Sequence, residues 1–181
     1  MKNHYEHIKQ YLFGSIERYL NIDDLMNDAE RLPIFLATGS SDQGLTDGST
    51  FASYMSHFIL AYYMEGSPRY RDPVLLEKAY QGLCHYESYI HEDGSDDLLS
   101  TNFHDPAQTG FHVHAIYPAT ELIARFSKHT PEEDRLFEKI KEVLKKSGHA
   151  MATLGFHTPN HRWVISSGLA IAYRYTGEKE F

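Results

Sequence analysis

The chain has only one cysteine, Cys84, in 181 residues, so no internal disulfide can form and a four-cysteine zinc site is excluded. Positive charge is also scarce, since 17 Lys and Arg stand against 25 Asp and Glu and give a formal charge of −8. Nonspecific nucleic-acid binding requires a basic face. We therefore expect no nucleic-acid partner for this chain.

Long apolar runs are absent as well. No stretch approaches the ~20 apolar residues of a membrane-spanning helix, and the first residues contain no apolar run of signal-peptide length. We expect no membrane partner and a cytoplasmic location for the chain as given, or a periplasmic or secreted one if an upstream leader was removed. Hydrophobic residues make up 41% of the chain, which is an ordinary globular composition, and residues 1–181 are predicted to form a single domain.

Helical periodicity extends over nearly the whole chain, and no pattern typical of β-strands is visible, so the predicted fold class is all-α. Asp72 before Pro73 and the capping box of Thr130 with Glu133 mark two helix starts. Residues 91–109 are predicted to form a long polar loop. The predicted helices cover residues 4–20, 22–35, 49–65, 72–90, 109–127, 130–152 and 159–175.

A repeat organises these helices into pairs. Residues 60–70 and 171–181 align without a gap, and each has an apolar helix end with Ala-Tyr, a Gly, a polar turn and an aromatic residue. Residues 121–127 form a looser copy. The repeat predicts helical hairpins with an apolar inner helix and a charged outer helix, the latter clearest in residues 131–146. Such hairpins bury a continuous core only by stacking on neighbours.

The second copy of the repeat ends where the first continues into a charged helix. We therefore expect the chain to be the N-terminal part of a longer protein, truncated at its C-terminus. The alternative is a native chain that ends on a frayed turn. In that alternative the stack has an open edge, which association of copies could cover as a homo-oligomer.

The unusual polar residues lie just before, or at the start of, the predicted inner helices. Because equivalent ends of successive inner helices face one rim, we expect these side chains to converge on a common cleft. His is the residue whose ordinary pKa lies nearest neutrality, so the His residues are the candidate acid–base groups. The three sets are Asp47; Asn102, His104, Asp105, His112 and His114; and His157, Asn160, His161, Arg162 and Trp163.

Asn160 and His161 are the most informative pair, because they are predicted in the first turn of a helix, where the helix dipole favours an anion. An Asn amide can donate to a carboxylate, a His can remove a proton, and Trp163 offers a stacking face for a sugar. The alternative is that Asn160 only caps the helix and Trp163 packs in the core. His112 and His114 do not share a helix face and no zinc spacing is present, so neither a metal nor a cofactor is expected.

The hairpin pattern of residues 40–181 resembles the α/α toroid, an incomplete barrel of helical hairpins found in carbohydrate-active enzymes. Residues 158–163, Thr-Pro-Asn-His-Arg-Trp, resemble the Asn-His site segment of heparinase II/III-like and alginate-lyase-like polysaccharide lyases. The Asp-Gly-Ser turn at 93–95 and the Asn-Phe-His loop at 102–104 are similar to rim segments of the same group. The resemblance implies an α/α toroid, of which this chain would be a part.

The resemblance also implies a function, the cleavage of uronate-containing oligo- or polysaccharides by β-elimination. In that family an Asn neutralises the substrate carboxylate, which matches Asn160, and a His acts as the base or as its partner, which matches His161. The family's Tyr lies in a later hairpin that this chain does not contain. We add His104 as a third catalytic candidate. The predicted substrate-binding residues are Asp47, Asn102, Asp105, His112, Arg162 and Trp163.

Two other functions stay open at the level of sequence. A toroid glycoside hydrolase needs two carboxyl groups across a cleft, which Asp47 and Asp105, or Asp93, Asp96 and Asp97, could supply. The net charge of −8 suits a neutral sugar better than a uronate. The second alternative is a helical domain that binds a glycan or another partner without chemistry. Fold resemblance alone does not decide among these functions.

Overall fold

The structure is a computed structural model, and it describes residues 4–14, 16, 49–98, 101–126, 128–155 and 158–181. These residues are mostly helical, which confirms the all-α class. The predicted helix at 22–35 and the candidates Asp47 and His157 lie outside the described residues. The helices are α1 (4–14), α2 (Ser49–Tyr63), α3 (Pro73–Tyr89), α4 (Pro106–Ala124), α5 (Pro131–Thr153) and α6 (Pro159–Thr176).

The predicted caps are present. The side chain of Asp72 accepts a hydrogen bond from the backbone N–H of Val74 at the start of α3. At the start of α5, Thr130 and Glu133 form both hydrogen bonds of the capping box. Gly177 ends α6 with φ 73°, a left-handed conformation that glycine adopts without steric cost.

The prediction that residues 91–109 form a loop without strands is wrong. They contain an antiparallel hairpin of β1 (Asp96–Leu98) and β2 (Asn102–Asp105). Strands of three and four residues are too short to show an alternating pattern in the sequence. Helix α4 also begins three residues earlier than predicted, at Pro106 rather than Thr109, because Asp105 caps it.

The inner helices α2, α4 and α6 run in the same direction. Ser56 in α2 donates to the carbonyl of Ala115 in α4, and His114 in α4 contacts Ser167 in α6 through Nε2 and Oγ, 2.8 Å apart. Further along the same helices, Tyr63 stacks on Phe126, and the guanidinium of Arg174 donates to Glu121. The N-terminal part of each helix thus contacts the N-terminal part of its neighbour, and the C-terminal parts also contact each other, as parallel helices require.

The outer helices α3 and α5 carry the charged faces, as predicted. Arg135 pairs with Glu77 near their N-terminal ends, and Lys146 pairs with Glu87 near their C-terminal ends, so these two helices are also parallel to each other. Helix α3 packs on α2, and α5 packs on α3, α4 and α6. The core lies between the two layers and includes Met55, Ile59, Leu83, Ile116, Ile140 and Leu144.

Two glycines allow α4 and α6 to approach closely. A Cβ on Gly110 would lie 2.9 Å from Val164 Cγ1 in α6. A Cβ on Gly168 would lie 3.6 Å from the Cα of Gly110 in α4 and 2.7 Å from Met151 Sδ in α5. The missing side chains therefore allow α4 and α6 to lie close together and leave room for Met151. Each helix in the described part of the chain is too short or too polar to cross a lipid bilayer.

Candidate functional site

The N-terminal ends of the parallel inner helices lie on one side of the layer, as the sequence predicted. The β1–β2 hairpin connects the C-terminal end of α3 to the N-terminal end of α4, so it lies on the same side. We call this side the rim, and define it as residues 91–105 together with residues 106–111 of α4 and 159–163 of α6. The rim contains every candidate residue described by the structure except His112 and His114, which lie further along α4.

His104 lies on the rim in a strained backbone conformation. Its φ is 53°, a left-handed value that costs a non-glycine residue on the order of 1 kcal/mol or more. Its backbone N–H donates to Asp97 Oδ1 at 2.8 Å, and its ring nitrogen Nδ1 lies 2.8 Å from Asp93 Oδ2. The side chain is half exposed.

A second histidine supports the ring of His104. His91 stacks on it with the ring centroids 3.9 Å apart, and His91 Nε2 lies 2.8 Å from Asp97 Oδ1. The carboxylate of Asp97 therefore holds both the backbone of His104 and the ring that covers it. Desolvation acts to raise the pKa of Asp93, but hydrogen bonds from Ser95 and His104 outweigh it and hold that pKa below its ordinary value. Asp93 is thus an ionised partner for His104 at neutral pH.

The turn that carries Asp93 is fixed to α5. Gly94 has a φ of 86°, and a Cβ at this position would lie 2.0 Å from the backbone carbonyl oxygen of Lys146. Only glycine fits both the left-handed conformation and this close approach. The contact anchors the hairpin on the outer layer and so determines where Asp93 stands relative to His104.

Asn102 and Asp105 contact each other at the base of the hairpin. The amide of Asn102 donates to Asp105 Oδ2 at 2.8 Å, while Asp105 Oδ1 accepts from the backbone N–H groups of Ala107 and Gln108. Asp105 is buried and is the N-cap of α4. Both of its oxygens already accept hydrogen bonds within the protein, and this geometry does not favour the predicted contact with substrate.

His112 lies beneath the rim in a buried network. Its Nδ1 is 2.7 Å from Asp96 Oδ2, which also accepts a hydrogen bond from the hydroxyl of Tyr86, and the amide of Gln108 contacts Nε2. Burial, followed by the charge of Asp96, raises the pKa of Tyr86 well above its ordinary value. His112 is only 2% exposed, so it supports the hairpin from below and does not face the rim.

Asn160 and His161 occupy the first turn of α6, as predicted. Thr158 is the N-cap residue, yet it makes no side-chain hydrogen bond to the helix. Its hydroxyl instead donates to Asn160 Oδ1 at 2.6 Å. The alternative in which Asn160 is the cap is therefore wrong. The ring of His161 meets the ring of Phe111 edge to face, with centroids 6.5 Å apart, so the N-terminal parts of α4 and α6 adjoin.

Aromatic side chains project from the rim. Trp163 is 80% exposed, so the alternative in which it packs in the core is wrong. Phe103 is 70% exposed and Phe111 is 48% exposed. The neighbouring Arg162 is also exposed. Exposed apolar surface that is surrounded by polar residues commonly marks a binding site when it forms a patch.

The rim residues form two groups. One is the hairpin group around His104, and the other is the α6 group of Asn160, His161, Arg162 and Trp163. Within the described part of the chain, no hydrogen bond or ion pair joins His104 to Asn160 or His161. Nor do the described residues contain a group of three or more His, Cys, Asp or Glu that could hold a metal ion.

The sequence did not reveal the partners of His104. In the sequence, Asp93 stands out only as part of the Asp-Gly-Ser turn and as one of the carboxylates that a glycoside hydrolase could use. No sequence feature distinguishes His91. The pairing crosses the hairpin and is produced by the left-handed residue at 104 and the glycine at 94. The Asp-Gly-Ser turn was the one local signal that pointed to this position.

Searches with this chain against family profiles, curated proteins and solved structures found no match.

Proposed function

We propose that the chain is a carbohydrate-active domain of the polysaccharide-lyase type, which binds a uronate-containing glycan along the rim and cleaves it by β-elimination. The proposal includes the α/α toroid as the architecture, of which α2 to α6 would form consecutive hairpins. Parallel inner helices with charged helices outside them are the arrangement that such a toroid requires. The proposed function depends mainly on the geometry of the first turn of α6.

That turn is suited to a carboxylate. The side chain of its N-cap residue, Thr158, makes no hydrogen bond to the first backbone N–H groups, and the helix dipole adds a partial positive charge. Asn160 Oδ1 accepts the hydroxyl of Thr158, so the amide NH₂ of Asn160 remains to donate to a ligand. The exposed Arg162 supplies a full positive charge beside it. A uronate carboxylate fits these donors.

Neutralising the charge of that carboxylate is what allows the elimination to proceed. In β-elimination a base removes the proton on C5, the electron pair of that bond forms the C4–C5 double bond, and the C4–O4 bond breaks. The leaving O4 then takes up a proton. Donors aimed at the carboxylate stabilise the charge that develops in the transition state. His161 and His104 are the candidate proton-transfer groups on the rim.

The exposed aromatic rings complete the proposed site. Sugar rings stack on flat apolar faces through their C–H groups, and Trp163 and Phe103 offer such faces on the two groups of the rim. Phe111 in α4 lies beside His161 and offers a third exposed ring. A glycan that spans these rings would cover several sugar units.

A β-elimination assay tests the proposal. The chain is mixed with a panel of uronate polymers, and the ultraviolet absorbance of the unsaturated product is followed. We expect turnover of at least one polymer, at least a 100-fold loss in His161→Ala or His104→Ala, and little change in the matched control His149→Ala, an exposed histidine on α5. Full activity in Asn160→Ala and in both rim histidine variants would refute the proposal.

Glycan binding without chemistry is the second candidate, and the exposure of Trp163 favours it. Trp163 is the only tryptophan in the sequence, so its fluorescence reports directly on the rim. Saturable fluorescence changes with glycans that are never cleaved would support this candidate over the lyase. The control is Tyr173→Ala, which removes an exposed aromatic residue from the far end of the same helix. Its titration is expected to match that of the unsubstituted chain.

The glycoside-hydrolase alternative depends on a free pair of carboxylates. Asp105 is occupied as a helix cap, and Asp93 and Asp97 are both bonded to histidines. Asp47 lies outside the described residues. The described carboxylates on the rim therefore favour a lyase over a hydrolase, and the same assay with neutral glycans separates the two.

A further inference from the structure

The two oxygens of Asp93 have different partners. Oδ1 accepts hydrogen bonds from the backbone N–H and the hydroxyl of Ser95, at 2.9 and 2.5 Å. Oδ2 lies 2.8 Å from Nδ1 of His104. The Ser95 bonds fix the rotation of the carboxylate, so Oδ2 has one defined position and it faces the imidazole.

The imidazole is fixed on its other sides as well. The ring of His91 stacks on it at 23° between the ring planes, and Asp97 holds the backbone of residue 104 in its left-handed conformation. Among the described residues, the charged or titratable side chains that contact His104 are Asp93, Asp97 and His91, and the hydroxyl of Ser95, which donates to Asp93 Oδ1, lies 3.1 Å from Nδ1. Strained backbone conformations held by their surroundings in this way are common at functional sites.

An ionised carboxylate can only accept hydrogen bonds, so the proton between Asp93 and His104 belongs to Nδ1. In the neutral imidazole the lone pair then lies on Nε2, the nitrogen that can receive a proton from a substrate. Among the described residues, Nε2 of His104 has no hydrogen-bond partner. His161 differs, since its ring contacts Phe111 by an edge and no hydrogen bond from a described residue selects its tautomer.

We propose that Asp93 is a positioning residue, which holds His104 in the Nδ1–H tautomer with Nε2 directed to solvent as the proton acceptor. Resting on the proposed function, His104 is then the base that removes the C5 proton, and His161 assists at the carboxylate. Asp93 does not touch the substrate. Its effect is transmitted through the ring of His104.

The tautomer can be measured without any activity. The ¹⁵N chemical shifts of histidine rings distinguish a protonated Nδ1 from a protonated Nε2, and His104→Gln identifies the signal. In the unsubstituted chain at a pH where the ring is neutral, we expect the Nδ1–H form. An Nε2–H form, or an even mixture of both, would overturn the proposal without any variant at position 93.

Asp93→Asn gives a sharper test, because the Ser95 donors dictate which way the new amide faces. The backbone N–H of Ser95 can only donate, so the amide oxygen takes the place of Oδ1, while the Ser95 hydroxyl can donate to that oxygen or to Nδ1 of His104. The amide NH₂ then takes the place of Oδ2 and donates to Nδ1 of His104, which forces the proton onto Nε2. We expect the tautomer to reverse. An unchanged tautomer in a folded variant would also overturn the proposal.

Asp134→Asn is the matched control. Asp134 is likewise an exposed carboxylate bonded to a histidine Nδ1, that of His129, but it lies on α5 away from the rim. This variant is expected to alter the signals of His129 and to leave those of His104 unchanged. Far-ultraviolet circular dichroism of both variants checks that the helices are retained.

Activity measurements distinguish a failure of this inference from a failure of the proposed function. If β-elimination is detected, Asp93→Asn should lower kcat by at least 100-fold with KM changed less than threefold, and the pH profile should change shape. Turnover that survives Asp93→Asn after the tautomer has reversed would show that His104 is not the base. The expected tautomers with no cleavage of any uronate polymer would leave the positioning role intact and reject the lyase.

Discussion

Gly94 lies against the backbone of Lys146 so closely that a Cβ on the glycine would stand 2.0 Å from the carbonyl oxygen. This contact ties the rim hairpin to the outer helix α5. Since a backbone carbonyl in the middle of a helix cannot move aside, the turn has to be displaced when any side chain is added. The position of Asp93, and through it the ring of His104, depends on this absence of a side chain.

The first prediction follows from that contact. Gly94→Ala should lower the free energy of unfolding by about 2 kcal/mol or more, since it combines overpacking with a left-handed φ. It should also broaden or shift the ring signals of His104. Urea denaturation measures the first effect. Gly155→Ala is the control, because a Cβ there meets no atom within 4 Å and its φ is not left-handed; equal losses in both variants would contradict the argument.

The second prediction concerns the crossing of α4 and α6. Gly110→Ala places a Cβ 2.9 Å from Val164 Cγ1 and should cost about 1–3 kcal/mol of stability. Because the substitution pushes α4 and α6 apart near their N-terminal ends, it should also weaken any glycan response of Trp163 fluorescence. Gly14→Ala in α1 is the comparison, since a Cβ there meets nothing within 4 Å. The argument fails if Gly110→Ala is as stable as the unsubstituted chain.

The third prediction concerns Glu133, a buried carboxylate at the end of the layer opposite the rim. It accepts hydrogen bonds from Tyr63 and Arg71 at 2.8 Å each, and from the backbone of Thr130. Desolvation acts to raise its pKa, but these bonds outweigh it and lower the pKa below 4.5. Glu133→Gln should cost about 2 kcal/mol at pH 7, because charged hydrogen bonds are lost.

The pH dependence of this effect has a defined sign. A carboxyl whose pKa is lower in the folded state stabilises the fold above its unfolded pKa, and that stabilisation disappears as the pH falls through the folded value. The stability difference between the unsubstituted chain and Glu133→Gln should therefore shrink below pH 4.5. The exposed neighbour Glu132, changed to Gln, should show no such trend. Thermal unfolding at several pH values measures both, and a constant difference would count against the assignment.

The fourth prediction concerns His129, whose contribution to stability depends on pH in the opposite direction to that of Glu133. Desolvation acts to lower the pKa of His129, but hydrogen bonds to Asp134 and to the carbonyl of Ile123 outweigh it and raise that pKa above 6.5. A group with a raised folded pKa stabilises fully below its unfolded pKa, and the stabilisation is lost as the pH rises through the folded value. His129→Gln should therefore be more destabilising at pH 5.5 than at pH 8.

The magnitude of that effect is small. Asp134 is 64% exposed, so solvent screening keeps the pair below about 1 kcal/mol. Unfolding by urea at the two pH values resolves the difference, with His149→Gln on the exposed face of α5 as the control. A larger destabilisation at pH 8 than at pH 5.5 would reverse the expected sign and reject the explanation.

The helices of this protein could be predicted because their signals are local. The capping box at Thr130 and Glu133 and the Asp72 cap each lie within a few residues of the helix that they begin. The order of apolar and charged helices also indicated the inner and outer layers. The hairpin at residues 96–105 could not be predicted, since its strands are shorter than one clear period of alternation.

The candidate site was predicted in its parts but not in its arrangement. The sequence indicated that Asn160 and His161 begin a helix, and that the polar segments meet at one end of the inner helices. It did not indicate that His112 is buried against Asp96, or that the carboxylate of Asp105 caps α4. These outcomes depend on which face of α4 turns toward the outer layer, and the weak amphipathicity of that helix does not show its orientation.

By itself, the sequence determined the all-α class, the hairpin pairing and the residues available at the rim, because helix periodicity, caps and stop signals act over a few residues. Tertiary structure alone decided that His104 pairs with Asp93 and stacks on His91. That arrangement requires a left-handed residue at 104 and a glycine pressed against the carbonyl of Lys146, and both conditions arise only when the hairpin packs on α5. Contacts between distant segments are set by packing, which leaves no periodic signal in the chain.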